Sequence, residues 1–222
     1  MDYRVISIGT LSVNPLWEKK GAMRTAHATT TLIRTPQATI LVDPALPPQA
    51  IAARLEERSG LTPDDITHVF LTCFRPAHRM GLEAFADAKW WIAEAEREGV
   101  GQSLVAMFNE AKEEEQREWL RQEIALLQRF EAAPDSLAPH VDLFPLPGSS
   151  PGGCGLLLVL PNQTVLVAGD AVATDEHLQR GQVLDSAFDI EQARESFSEA
   201  VEIADLIIPG HDNLLQNPLR RM

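Results

Sequence analysis

Between Tyr3 and Ile8, apolar and polar residues alternate with the two-residue period of a half-buried strand. Two β-rich runs, His27–Arg34 and Thr39–Val42, flank Pro36 and Gln37 and predict a strand pair that ends at Asp43-Pro44. The period then lengthens. Ile51 and Leu55 share one face of Gln49–Arg58, and Gly60 follows, which predicts a helix and its stop. Ile66–Thr72 reads as a buried strand running straight into Cys73-Phe74-Arg75-Pro76-Ala77-His78. A helix is predicted from about Met80, with Leu82 and Phe85 inward, followed by a strand over Lys89–Ala93.

The segment Ser103–Ala132 is strongly helical in pattern. Leu104, Phe108 and Ala111 mark one face, and Leu120, Ile124 and Leu127 continue another. The acidic cluster between them, Glu113 to Glu115, reads as a solvated face and a possible break, so the segment is either a helical hairpin or one long helix. Met107 and Trp119 are expected to pack there. Strands return at Val141–Leu146, and Leu156–Leu160 and Thr164–Ala168 form a hairpin around Pro161-Asn162. Asp189–Ala204 is an amphipathic helix carrying Ala193, Phe197, Ala200 and Val201 inward, and Leu206–Ile208 is a last short strand. Two groups of strands, each followed by helices, predict two sheets packed face to face with helices outside. The 222 residues suit a single domain over 1–222, with a helical insertion at about 101–133.

Composition narrows the partners. A net charge of −13 repels phosphate backbones and anionic lipid surfaces, so neither nucleic acid nor a membrane is an expected partner. Two cysteines, Cys73 and Cys154, suggest no disulfide framework. The start of the chain reads as a strand rather than a leader, and no apolar run is long enough to span a bilayer. A cytoplasmic location is expected.

Candidate chemistry gathers at strand ends, where sites are commonly built. Polar groups follow predicted strands at Cys73–His78, at Gly169-Asp170 and at Gly210-His211, and a fourth turn runs Pro147-Gly148-Ser149-Ser150-Pro151-Gly152. In order, Thr72-Cys73-Phe74-Arg75-Pro76-Ala77-His78, Pro147–Gly152, Ala168-Gly169-Asp170 and Pro209-Gly210-His211 resemble the T-H-x-H-x-D-H, P-G-H-T-P-G, G-D and P-G-H motifs of the metallo-β-lactamase superfamily. Leu41-Val42-Asp43-Pro44 and Gly60–Ile66 add a likeness to its lactonase-like members. The resemblance implies an α/β (α+β) fold, a four-layer αββα sandwich with its site at one edge of the two sheets.

The departures from those motifs are equally informative. The resemblance assigns Cys73, Arg75 and Ser149 to the first of two metals, and Ala77, His78, Asp170 and His211 to the second. Arg75 has no lone pair to donate and carries a permanent positive charge. A two-metal hydrolase is therefore not expected. His78, Asp170 and His211 remain a set suited to one zinc or iron ion with an open position. One reading is a single-metal hydrolase of a small ester, lactone or thioester, with Asp170 catalytic and Arg75 binding an anion or oxyanion. The other is a metal-free pseudoenzyme, in which Arg75 pairs with Asp170 and the cleft binds a small ligand or a partner protein, with no cofactor. A third uses Cys73 as a thiol nucleophile. Cys73, Arg75, Ser149 and Asp43 are expected around the pocket, with Asp43 as a supporting acid. His27, His68, His140 and His177 have no partner spacing and read as surface or strand residues; Cys154 reads as packing. The helical segment shapes the pocket mouth or a homodimer contact, and the substrate is left open.

Overall fold

Strand residues point alternately to opposite faces, so a strand with both faces covered feeds two different cores. The computed structural model, which describes residues 1–17 and 23–220, has this arrangement twice. One six-stranded sheet runs in the order β1 (Asp2–Ser7), β2 (Thr30–Arg34), β3 (Thr39–Val42), β4 (His68–Leu71), β5 (Lys89–Ile92) and β6 (Glu131–Ala132). The first three strands pair antiparallel, and β3 through β6 pair in parallel. The other sheet holds β7 (Ser136–Ala138), β8 (Val141–Pro145), β9 (Cys154–Leu160), β10 (Gln163–Gly169), β11 (Leu206–Pro209) and β12 (Leu215–Gln216). Its pairs are antiparallel except β10 with β11.

Ile40, Val42, Phe70, Leu158, Val165, Val167 and Ile208 fill the space between the sheets. Their strand neighbours Leu41, Val69 and Leu71 turn outward under α1 (Pro48–Ser59) and the helical hairpin. On the far side Leu166, Ala168 and Ile207 meet Phe197, Ala200 and Val201 of an amphipathic helix over Ile190–Ile203. Helix, sheet, sheet and helix form the expected αββα sandwich.

Several local details differ from the pattern reading. A short helix α2 occupies Pro76–Arg79, ahead of the start expected near Met80, because Pro76 suits a first helical position. The helical segment begins at Glu94, directly after β5, rather than at about 101. It is a hairpin of α3 (Glu94–Glu110) and α4 (Glu114–Gln128). Glu114 and Glu115 lie in the exposed first turn of α4, where carboxylates suit the helix dipole. Met107 and Trp119 are 43% and 48% exposed, so the expectation that they pack inward is corrected. Glu131–Ala132, read as helix, is instead the edge strand β6. A helix α5 over Asp175–Arg180, absent from the pattern reading, precedes the amphipathic helix, α6. Among the described residues no helix is long and apolar enough to cross a membrane.

Phe70 is fully buried between the sheets. Phe70→Ala is expected to cost about 3–5 kcal/mol of stability, read as a lower urea midpoint. A loss below about 1 kcal/mol would mean that the inter-sheet core is not packed as described.

Candidate active site

Parallel pairing brings strand ends from both sheets to one edge. Asp43 directly follows β3, Thr72 follows β4, Asp170 follows β10, and His211 lies two residues beyond β11. Two glycines make the approach possible. Gly169 has a φ of +53°, and a Cβ there would lie 2.6 Å from Thr72 Oγ1. A Cβ on Gly210 would lie 2.8 Å from Asp170 Oδ1, so its absence leaves room for the carboxylate.

Asp170 is the centre. It is 5% exposed, and three cation-forming side chains converge on it. His211 Nε2 lies 3.0 Å and His78 Nε2 3.2 Å from Oδ1, while Arg75 Nη1 donates to Oδ2 at 2.9 Å. The opposite ring nitrogens are held by acceptors. His78 Nδ1 donates to Asp43 Oδ2 at 3.0 Å, and His211 Nδ1 donates to the His27 carbonyl at 3.0 Å. A proton fixed on each Nδ1 leaves both Nε2 lone pairs aimed at a carboxylate oxygen, and positive charge must lie between them. A proton or a metal ion can supply it. Burial alone would raise the pKa of Asp170, but His78 and His211 hold it well below the usual carboxylate range. Burial opposes charge on His78, yet Cys73, Asp170 and Asp43 together hold it well above the ordinary imidazole value.

Arg75 bridges the two halves. Besides Asp170, its Nη2 donates to the Ser149 carbonyl at 2.5 Å and the Ser186 carbonyl at 3.1 Å. Three of its five N–H groups are thus committed, which leaves two free. The Ser149 hydroxyl donates to the Asp170 carbonyl at 3.0 Å, so Ser149 serves the turn and the arginine together.

A layer of support lies beneath. Asp43 takes the Thr72 amide at 2.9 Å and the Thr72 hydroxyl at 2.7 Å, and its backbone is left-handed, with a φ of 49°. Glu96, 1% exposed at the start of α3, accepts the amides of Phe74 at 2.9 Å and Gly152 at 2.8 Å. One carboxylate therefore ties the loop after β4 to the turn at 147–152.

The sequence model of the metallo-beta-lactamase superfamily matches residues 24–211. The chain belongs to the metallo-beta-lactamase superfamily. Solved structures agree on the fold. A Thermotoga maritima protein assigned to the metallo-beta-lactamases superposes with a TM-score of 0.69 at 18% identity, covering 97% of this chain and 98% of its own. A quorum-quenching N-acyl homoserine lactone lactonase gives 0.67 at 24% identity, over 95% and 91%. AidC, a dizinc quorum-quenching lactonase with a product bound, gives 0.63 at 19% identity, over 79% and 67%. None of the curated proteins matches in sequence.

Within this metallo-beta-lactamase fold, His78, Asp170 and His211 come together, Arg75 joins them, and Asp43 and Ser149 stand directly behind. A cavity of about 410 Å³ opens over His78, Asp170, His211, Arg75 and Ala77. Ala77 puts a methyl group on its wall. Asp43 and Cys73 lie behind this lining, and Ser149 lines a neighbouring cavity of about 370 Å³ across Arg75, beside Trp119 and Phe188. Cys73 Sγ lies within 4.8 Å of ligand atoms of His78 and Asp170. It is 2% exposed, and burial pushes its thiol up, which removes support from its reading as a nucleophile. Cys154 is pushed up to about 12 by burial, as its packing role requires.

Sequence reasoning missed Glu96, one acid in the charge-rich run Glu94–Glu98, with no signal marking it as buried. It also missed His177, which is 2% exposed on the cavity wall. Burial holds His177 below the ordinary imidazole value. His68 stacks on Trp91 at 3.9 Å, away from the site.

Glu96→Ala would strand two buried amides, at a cost of about 1–3 kcal/mol each. A drop of about 2–6 kcal/mol in unfolding free energy is expected; denaturant curves matching wild type would show that the two loops hold without it.

Proposed function

We propose that the chain is a single-metal hydrolase of a small ester, lactone or thioester. The observation that carries this is the convergence of His78 Nε2, His211 Nε2 and Asp170 Oδ1, with both Nδ1 atoms held by a carboxylate or a carbonyl. That is the tautomer and the outer support expected of metal-ligating histidines. The donor types suit one zinc or iron ion: two imidazoles and a carboxylate beside an open cavity, although the compact cluster with all ligand atoms within 4.8 Å of one another is Cys73, His78 and Asp170, with His211 reaching Asp170 Oδ1 from beside it. The dizinc character of the structural neighbour AidC supports a metal in this fold. When bound, such an ion supplies a Lewis acid and a source of hydroxide near neutral pH.

The chain's own residues do the rest. Arg75 puts a fixed guanidinium where the resemblance places a ligand of the first metal, and its two free N–H groups are available to a developing oxyanion or a substrate carboxylate. Asp43 holds His78 in register, and the His27 carbonyl does the same for His211. The cavity of about 410 Å³ admits a small substrate and is lined by Leu11, Val13 and Leu184 beside the polar cluster.

One observation favours a second reading. The Arg75–Asp170 contact at 2.9 Å is a complete ion pair, which supports a metal-free protein that binds a small ligand or a partner in the same cleft.

Metal analysis separates them. Protein purified without added metal is expected to carry close to one zinc or iron per chain. His211→Ala is expected to lose it, and Asp43→Asn to weaken it about 10- to 100-fold. Protein that stays metal-free and takes up no zinc in a chelator-controlled titration, with Arg75→Ala as its most destabilising site variant, would move the conclusion to the second reading.

A further inference from the structure

His177 stands on the cavity wall through a chain of contacts that fixes its protons. Thr174 Oγ1 donates its single hydrogen to Glu176 Oε2 at 2.6 Å, because a carboxylate only accepts. Toward His177 Nδ1, 2.9 Å away, the same oxygen must therefore accept, which places the ring hydrogen on Nδ1. Asn14 Nδ2 donates to both Thr174 Oγ1 and Glu176 Oε2 at 3.4 Å and holds the group from the N-terminal segment. Nε2 is left with a lone pair and has no partner among the described residues. Among the described residues the sealed side-chain atoms without partners are the hydroxyls of Ser7, Thr31 and Ser150, and His177 Nε2 is not one of them. His177 is one of the residues that line the cavity, and among the described residues no donor is paired with its Nε2. A buried histidine on a cavity wall with an acceptor nitrogen unpaired among the described residues calls for a partner.

We infer that His177 is the proton acceptor of this cavity: its Nε2 binds an O–H or N–H of the ligand and, resting on the hydrolase reading above, takes the proton of the attacking water. In that step the water oxygen bonds to the acyl carbon, the carbonyl electron pair moves onto its oxygen, and the water O–H breaks toward Nε2. On collapse the carbonyl re-forms, the C–O or C–S bond to the leaving group breaks, and the proton on Nε2 passes to the leaving alcohol or thiol. Ester and water become acid and alcohol with no change of oxidation state. Asn14, Thr174 and Glu176 are positioning residues, since they act through the ring.

Two measurements test the inference, and one of them needs no turnover. Nitrogen NMR of the full chain is expected to show His177 neutral, protonated on Nδ1, with its Nε2 resonance moving when phenol is titrated in as an O–H donor. An Nε2-protonated tautomer, or no response to phenol, overturns the inference whatever the protein hydrolyses. With phenyl acetate as substrate, His177→Gln is expected to lower kcat about 100-fold with KM within about twofold, and imidazole is expected to restore part of the rate to His177→Ala. Thr174→Val, which keeps the ring but frees its tautomer, is expected to show a smaller loss in kcat. Turnover by wild type with an unchanged kcat in His177→Gln overturns the base role. A phenol response in a wild type that hydrolyses neither phenyl acetate nor its thioester analogue supports the acceptor site while removing the hydrolase reading.

Discussion

A carboxylate taken out of water must be met by positive charge, and the whole edge of this molecule is organised around one such group. Asp170 is almost fully buried, and an unpaired charge there would cost several kcal/mol. Two imidazoles meet one of its oxygens and a guanidinium meets the other. Each partner is in turn held by an acceptor deeper in the protein: Asp43 for His78, the His27 carbonyl for His211, the Ser149 and Ser186 carbonyls for Arg75. Without the small residues Gly169 and Gly210, neither the strand end nor the carboxylate would fit.

The partners of Asp170 also come from different sheets. Arg75 and His78 follow β4 in one sheet, while Asp170 and His211 follow β10 and β11 in the other. The electrostatic cluster is therefore a clasp across the sandwich edge, and Glu96 is a second clasp made of amides instead of cations. Stability and chemistry are coupled at this edge: a substitution that frees Asp170 alters both, which is why metal content and ring tautomer report on function more cleanly than activity alone.

Most of the architecture was legible in the chain. Alternation located β1, β-rich runs located β3, β4, β5 and the β9–β10 hairpin, and the apolar faces of α1 and α6 placed their helices, because these signals are written in every few residues. The site was legible where chemistry follows a strand in a known motif: His78, Asp170 and His211 meet as their order implied, and Arg75 reaches Asp170. What stayed hidden depended on tertiary context. Two-residue strands such as β6 and β12 have no period to read. Glu96 resembles its solvated neighbours until a loop closes over it. His177 lies in a short helix that meets the cavity only once the chain is folded, and Asn14 and Glu176, which brace its partner Thr174, are 162 residues apart in sequence.

A guanidinium and a metal ion solve the problem of Asp170 differently, and the difference bears on what this cleft can do. An ion with an open position exchanges ligands; Arg75 keeps its charge and its geometry and offers only N–H groups. Around Asp170 the two solutions use different atoms: Oδ2 faces the arginine, and Oδ1 faces the two imidazoles. Arg75 therefore leaves the three-atom set at Oδ1 untouched, and a fixed cation on one side is compatible with an exchangeable one on the other. On the hydrolase reading proposed above, the arginine would orient an anionic or polarised group and proton transfer would fall to an acceptor outside the cluster, such as His177 on the same cavity wall.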